Sequence, residues 1–197
     1  MKSGARRSST LLCLVCQALA CAGCGGRDEQ GPRLRMAFRI AADPSADRGV
    51  VAQARATKGH AVERDGACLA RWVAVREEIA PGLAAETGCV TRTTAEGRVE
   101  LLVLVTGADV NDSHVQELRL ERDRYGKPEI EVTANEEGER VMRILSQENR
   151  GRRLAEIIDG EVFAAPVIHA PIYDRWRVGG PYPPRLLKTI IARHRAE

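Results

Sequence analysis

The sequence has 197 residues, a length that predicts one domain or two small ones. Hydrophobic residues make up 44% and charged residues 29%, as in ordinary globular proteins, but aromatic residues make up only 4%, so we expect a core built mainly from Val, Leu, Ile and Ala. The formal net charge of +3 equals the charge of Lys2, Arg6 and Arg7, which lie together near the N-terminus. Without these three residues the chain has 27 basic and 27 acidic residues, a balance that excludes the basic surface typical of a nucleic-acid-binding protein.

The N-terminal segment has the layout of an export signal. Three positive charges precede residues 11–23, which are apolar or small apart from Gln17 and too few to span a bilayer. Ala22-Gly23-Cys24 resembles the bacterial lipobox, in which small residues precede a cysteine that receives lipid. We therefore predict a signal peptide over residues 1–23, lipid on Cys24, and a flexible tether over residues 24–33. Cys21 is the alternative lipid acceptor, and a plain cleaved signal is the alternative without lipid.

The other cysteines have fewer consequences. The first four form two C-x-x-C pairs, but only four residues separate the pairs, which is too short for a zinc ribbon. We predict no metal site and no cofactor. Cys68 and Cys89 are the remaining two, and two alternatives stay open: a disulfide formed in an oxidising compartment, or two free thiols.

The first part of the mature chain, residues 34–98, mixes strands with one short helix. Alternation of apolar and polar residues predicts a strand over residues 35–42, followed by a helix over 46–57 and a strand over 68–75. Pro81-Gly82 is predicted to break the chain. The stretch 99–105, rich in valine and leucine, suits a strand that is covered on both faces.

The second part, residues 99–197, has clear turn and cap signals. Residues 114–121 and 129–133 predict a hairpin. Asn135 is a predicted N-cap of a helix with Val141, Ile144, Leu145 and Glu148 on one face, and Gly151 is placed to end it. Asp159-Gly160 predicts a tight hairpin turn between strands 153–158 and 161–167. Pro183-Pro184 opens a last helix, whose predicted apolar face consists of Leu186, Leu187, Ile190 and Ile191.

The order of these elements predicts the fold class. Strands and helices are mixed, and hairpins replace regular βαβ units. We therefore predict an α+β fold, with a mostly antiparallel sheet and helices packed on one face.

Several motifs between Val105 and Gly180 follow one another in a characteristic order. They are Thr106-Gly107-Ala108-Asp109, the turn Tyr125-Gly126-Lys127-Pro128, the helix start Asn135-Glu136-Glu137-Gly138, and the long stretch from Glu148-Asn149-Arg150-Gly151-Arg152-Arg153-Leu154-Ala155 through Asp159-Gly160 to Ala165-Pro166-Val167-Ile168. In this order they resemble the head subdomain of the first periplasmic domain of SecD, from the SecD/SecF protein-export membrane complex. The resemblance covers about 75 residues, and residues before 99 have no secure match.

The resemblance implies an extracytoplasmic module that contacts translocating polypeptide. SecD itself continues into transmembrane helices that use the proton gradient. Because no apolar stretch of 18 residues follows the signal, we do not expect that motor in this chain.

Two groups of residues are candidate sites. Asp109, Asp112, Ser113 and His114 have the residue types of a hydrolytic or metal site, but they are close only in sequence, so we interpret them as a polar turn. Tyr173, Trp176 and Tyr182 gather among prolines. They predict either a surface that grips extended polypeptide or aromatic packing beside the last helix.

Our leading hypothesis from the sequence is a non-enzymatic, membrane-tethered lipoprotein that faces the periplasm or another extracytoplasmic space. Its expected partners are exported or unfolded polypeptide, or proteins of the export machinery, and the membrane through its lipid. The competing hypothesis is a structural or envelope-assembly lipoprotein that reuses the fold for an unrelated partner.

Overall fold

The computed structural model describes residues 34–57, 59–105 and 109–195. The predicted signal, the tether up to residue 33 and both candidate lipid acceptors, Cys21 and Cys24, lie outside the described residues. Thr106, Gly107 and Ala108 of the first resemblance motif lie outside them too.

The described ranges contain eleven strands, four α-helices and a short 3₁₀ helix at Asp112–His114. The helices are α1 (Arg48–Ala56), α2 (Ala80–Ala85), α3 (Glu136–Glu148) and α4 (Pro184–Arg195). The strands are β1 (Met36–Ile40), β2 (Ala61–Arg64), β3 (Ala67–Val75), β4 (Thr91–Thr93), β5 (Val99–Leu104), β6 (Val110–Asn111), β7 (Val115–Arg122), β8 (Pro128–Ala134), β9 (Leu154–Ile158), β10 (Glu161–Ala164) and β11 (Arg175–Gly179).

The strands form two sheets. The larger sheet has the order β4-β5-β3-β10-β9-β1-β6, with β2 beside β3, and the smaller sheet has the order β11-β8-β7. Among the described pairs only β10 and β3 run parallel, and all others are antiparallel. The predicted α+β class with a mostly antiparallel sheet is confirmed.

Both predicted hairpins are confirmed. Strands β7 and β8 pair from Val115 to Arg122. Between β9 and β10, Asp159 and Gly160 have φ angles of 50° and 80°, the left-handed conformations that a two-residue turn of this type requires. Gly160 adopts this conformation without steric cost because it has no Cβ atom.

The helices lie on more than one face. On β3, Trp72 packs with Val51 and Ala54 of α1, whereas the neighbouring Val73 packs with Leu83 of α2. Because successive strand residues point to opposite faces, α1 and α2 cover opposite faces of the larger sheet. Helices α3 and α4 contribute to a third cluster together with the smaller sheet.

Two local expectations differ from the structure, and a third is confirmed. Pro81 and Gly82 lie inside α2 rather than breaking the chain, because proline fits the first turn of a helix. On α3, Met142 is fully buried whereas Ile144 is 37% exposed, so the apolar face is rotated from the predicted one. The Asn135 cap is confirmed, since its side chain accepts a hydrogen bond from the Gly138 N–H group at 2.8 Å.

The largest hydrophobic cluster lies between the two sheets. One face of β1 and β9 packs there against β7, β8 and β11, and α3 and α4 close its sides. Phe38 of β1 meets Trp176 of β11 edge to face, with ring centroids 5.1 Å apart. This packing places β11, the edge strand of the smaller sheet, directly over the larger sheet.

Candidate functional site

A crevice lies beside β11 and consists of two adjoining cavities of about 420 Å³ and about 440 Å³. Both cavities are lined by Glu156 of β9, by Pro166, and by Arg177 of β11. The first cavity extends along β10 to α2, and the second extends under the segment 166–174 that joins β10 to β11. Much of the lining is apolar, and this part of it comprises Ile79, Leu83, Phe163, Ala164, Ala165, Pro166, Val167, Ile168, Pro171 and Ile172.

Hydrogen bonds hold the segment 166–174 in place as one wall of the crevice. Its first residues continue the pairing of β9, since the Leu154 N–H group donates to the Pro166 carbonyl and the Ile168 N–H group donates to the Arg152 carbonyl. Further along, the Ile172 N–H group donates to the hydroxyl of Ser146, which is buried in α3, at 2.8 Å. The segment is therefore fixed to the domain near both ends.

Glu156 is the unusual residue of the crevice. It sits on β9 between Phe38 of β1 and Ala164 of β10, and it is 2% exposed. Its Oε2 atom is buried without a hydrogen-bond partner. Burial raises the pKa of this carboxyl group from 4.5 to about 8, because water that would stabilise the charge is excluded. The side chain is therefore protonated at neutral pH, and a neutral carboxyl group can both donate and accept a hydrogen bond.

Sequence reasoning missed Glu156. A signal was nevertheless present, because the residue interrupts the otherwise apolar strand Leu154-Ala155-Glu156-Ile157-Ile158. All five side chains of that strand are buried. A glutamate in such a strand indicates a carboxyl group with a shifted pKa, and such groups are frequent at functional sites.

The three predicted aromatic residues do not form one exposed cluster. Trp176 and Tyr182 are 8% and 4% exposed, whereas Tyr173 is 52% exposed. Tyr182 packs on Phe163 and donates its hydroxyl to the Phe163 carbonyl, so it belongs to the core beside α4. Tyr173 and Trp176 both line the second cavity, and the buried Trp176 Nε1 has no hydrogen-bond partner. Only Tyr173 offers the exposed ring that the gripping hypothesis requires.

Ion pairs surround the crevice. Arg177 contacts Glu129 at 2.8 Å and Glu131 at 3.6 Å. Arg153 pairs with Glu86 of the α2 side and also donates to the Ala165 carbonyl. These pairs leave the rim close to neutral, which suits a ligand without a strong net charge.

The residues of the polar cluster near residue 112 have separate structural roles. Asp109 pairs with Arg39 at 2.7 Å, and burial raises the pKa of the Asp109 carboxyl group. His114 closes the start of the 3₁₀ helix, where its Nδ1 accepts from the Asn111 N–H group at 3.1 Å. In the described part of the chain, no group of three or more His, Cys, Asp or Glu side chains is arranged to hold a metal ion. Residues Asp112–His114 form the short 3₁₀ helix that leads into β7.

Cys68 and Cys89 are free cysteines in the structure. The Cys68 thiol faces the Ala70 carbonyl at 3.6 Å, whereas the Cys89 thiol faces the Leu83 carbonyl at 3.7 Å. Burial raises the pKa of the Cys89 thiol, which disfavours the reactive thiolate.

A larger hollow of about 860 Å³ lies beside the start of α3. Its lining is entirely polar or charged and consists of Gln116, Asn135, Glu136, Glu137, Glu139, Arg140 and Arg143. Binding sites are usually mostly apolar with a few polar groups, so the crevice at Glu156 is the better candidate.

Comparison with known proteins identifies the family of this chain. The family model of the SecDF P1 head subdomain matches residues 86–184. The chain belongs to the SecDF P1 head subdomain family. The matched range contains β9, β10, β11 and the segment 166–174, so nearly the whole crevice lies in the part of the chain shared with the SecDF head.

Two relatives carry similar sequences. The protein translocase subunit SecDF of Thermus thermophilus is 38% identical over 69 residues, which are 35% of this chain and 9% of that protein. The protein translocase subunit SecD of Acidaminococcus fermentans is 33% identical over 69 residues, which are 35% of this chain and 15% of that protein. The similarity therefore spans a small share of either relative.

A solved structure of SecDF, described as a membrane component that enhances protein export, has the same fold. The alignment covers 83% of this chain and 63% of that chain, with 19% sequence identity and a TM-score of 0.51. None of the helices in the described ranges combines the length and hydropathy needed to cross a membrane.

Proposed function

We propose that this protein is an extracytoplasmic, membrane-tethered and non-enzymatic module that binds unfolded polypeptide, or components of the export machinery, during protein translocation. The observation that carries the proposal is the crevice at Glu156 in a chain of the SecDF P1 head family. The export role follows from the family and from the relatives named above, and the binding role follows from the chemistry of the crevice.

Unfolded polypeptide suits this crevice for two reasons. Apolar side chains gain free energy by leaving water, and the half-buried Ile79, Val167 and Ile172 supply an apolar surface in the walls. The backbone of such a chain presents amide N–H and C=O groups. The protonated Glu156 carboxyl group can hydrogen-bond to either kind of group, so it serves a polypeptide backbone whatever its sequence.

The membrane tether is the second part of the proposal. A lipid on Cys24, or on Cys21, would hold the domain at the membrane surface. The several acyl chains of a mature lipoprotein bind a bilayer firmly, whereas a single chain binds only marginally. The tether would keep the crevice where exported chains emerge.

Photo-crosslinking tests the proposed partner. A photoreactive amino acid replaces Tyr173, which is exposed at the crevice, or Tyr125, which is 70% exposed on the β7–β8 turn and does not line the crevice. We expect irradiated cells to yield adducts with exported chains or export proteins from position 173 and not from position 125.

Two other outcomes have definite meanings. Equal adducts at both positions would show that the crevice is not the site. Adducts from position 173 with envelope-structure proteins alone would favour the alternative of a structural or envelope-assembly lipoprotein.

A further inference from the structure

Strand β11 has one edge that no other described strand covers, and this edge lies beside the crevice. Strand β11 pairs only with β8 and ends the smaller sheet on that side. An edge strand presents unpaired backbone N–H and C=O groups, which form a template for another extended chain.

The register shows which residues of β11 face outward. The Ala134 N–H group donates to the Asp174 carbonyl, so Asp174 and Ala134 form a hydrogen-bonded pair. In an antiparallel ladder such pairs alternate with pairs that are not hydrogen-bonded. Trp176 and Val178 therefore pair their backbone groups with β8, whereas those of Arg175, Arg177 and Gly179 point away from it.

These three outward residues also line the crevice. Arg175 and Arg177 line the second cavity, and Arg177 and Gly179 line the first. No hydrogen bond from another described residue reaches the outward backbone groups of the three. Their spacing along β11 is two residues, or roughly 7 Å, which is the repeat at which one strand bonds to another.

The surface of the larger sheet next to this edge has room for an additional strand. Glu156 lies on the same face of β9 as Leu154 and Ile158, which pack in the cluster under β11. A strand added beside β11 would therefore lie over Glu156. Side chains that point inward from it would enter the two cavities, and those between them would point to water.

We infer that an extended polypeptide segment adds to the free edge of β11 as a further strand of the smaller sheet. This inference rests on the proposed function and specifies its ligand. Strand addition obtains its affinity from main-chain hydrogen bonds and its selectivity from pockets for alternate side chains. The ligand class is thus an extended segment with alternating apolar residues and no proline at its centre, whatever its exact sequence.

A matched pair of variants isolates the backbone contribution. Arg177→Ala removes the side chain and its ion pairs with Glu129 and Glu131, but keeps the outward N–H group. Arg177→Pro removes the same side chain and also that N–H group, and proline is tolerated on an edge strand where the N–H faces outward. Any difference between the two variants reports on the outward donor.

The probe is an extended peptide of about seven residues with alternating valine and threonine, labelled for fluorescence anisotropy. We expect the full-length Arg177→Pro protein in detergent to bind it about fivefold more weakly than Arg177→Ala, the loss that corresponds to one hydrogen bond. Equal affinities in two variants with the same melting temperature would overturn strand addition.

A second measurement keeps the inference testable if Arg177→Pro fails to fold. Two adjacent N-methyl groups at the centre of the peptide remove an N–H donor from each of its two edges. A peptide with the two N-methyl groups at its ends serves as the control. We expect central methylation to weaken binding to the wild-type protein by about tenfold or more, since at least two hydrogen bonds are lost. Equal binding of the two peptides would overturn strand addition while leaving polypeptide binding intact. No binding of any peptide would also refute the part of the proposed function that concerns unfolded polypeptide.

Discussion

Replacing Glu156 with glutamine keeps the size of the side chain and removes its ability to ionise. The substitution therefore isolates the cost of ionising a carboxyl group inside the crevice. The wild-type pKa is raised to about 8 in the folded state from 4.5, with burial as the cause. Folding and protonation of this group are thus linked.

The sign of the effect follows from the proton count. Between pH 4.5 and pH 8 the unfolded chain has released the Glu156 proton, whereas the folded protein still holds it. The stabilisation is fully present below the unfolded pKa and is lost as the pH rises through the folded pKa. At about 1.36 kcal/mol per pH unit up to the folded pKa, the free energy of unfolding should fall by roughly 2.7 kcal/mol between pH 6 and pH 9 on account of this group.

Urea unfolding followed by tryptophan fluorescence measures this change, because Trp72 and Trp176 are both buried. We expect wild-type stability to fall between pH 6 and pH 9 more steeply than that of Glu156→Gln, by about the amount given above. Glu121→Gln, at an exposed position of β7, is the matched control and should retain the wild-type slope. If Glu156→Gln also retained the wild-type slope, the carboxyl group would not be buried as the structure has it.

Three further predictions concern packing, capping and the tether. Gly138→Ala should lower the free energy of unfolding by about 1–3 kcal/mol, because the new Cβ atom would clash with the His114 carbonyl oxygen. Gly49→Ala in α1, where a Cβ atom would meet nothing within 4 Å, should instead raise it by up to about 1 kcal/mol. Urea unfolding in which both variants changed stability in the same direction would contradict this packing. Asn135→Ala should cost about 1 kcal/mol through loss of the α3 cap, and unchanged urea unfolding would show that the cap contributes nothing. Mass spectrometry of the mature N-terminus should find a lipid-modified Cys24. An unmodified first residue would refute the proposed lipid anchor, whereas lipid on Cys21 would show that Cys21 is the acceptor.

Much of the local structure could be predicted from the sequence because its causes are local. The Asp159-Gly160 turn, the Asn135 cap and the apolar face of α4 each depend on residues within one or two turns of chain. Leu187, Ile190 and Ile191 are all buried as their helical spacing predicts. The SecDF head resemblance, which rests on an ordered series of such motifs, was confirmed by the family match.

The candidate site was predicted only in part. Tyr173 and Trp176 were named and do line the crevice, but Tyr182 and Trp176 are buried, and Glu156 was missed. An aromatic residue has the same sequence signal on a surface as in a core. Its exposure depends on what packs over it, and the partner that buries Trp176 is Phe38, far away in the chain.

Sequence by itself thus determined the fold class and the short-range turns, because their signals lie in neighbouring residues, and it predicts the export signal from the same kind of local pattern. Only the tertiary structure decided that β10 pairs in parallel with β3, with Glu161 opposite Ala74, and that β11 ends its sheet against β1 and β10 of the larger sheet. These pairings join residues that are distant in the chain and depend on how two sheets bury their apolar faces together. The burial of Glu156, its raised pKa and the open edge beside it are consequences of that packing.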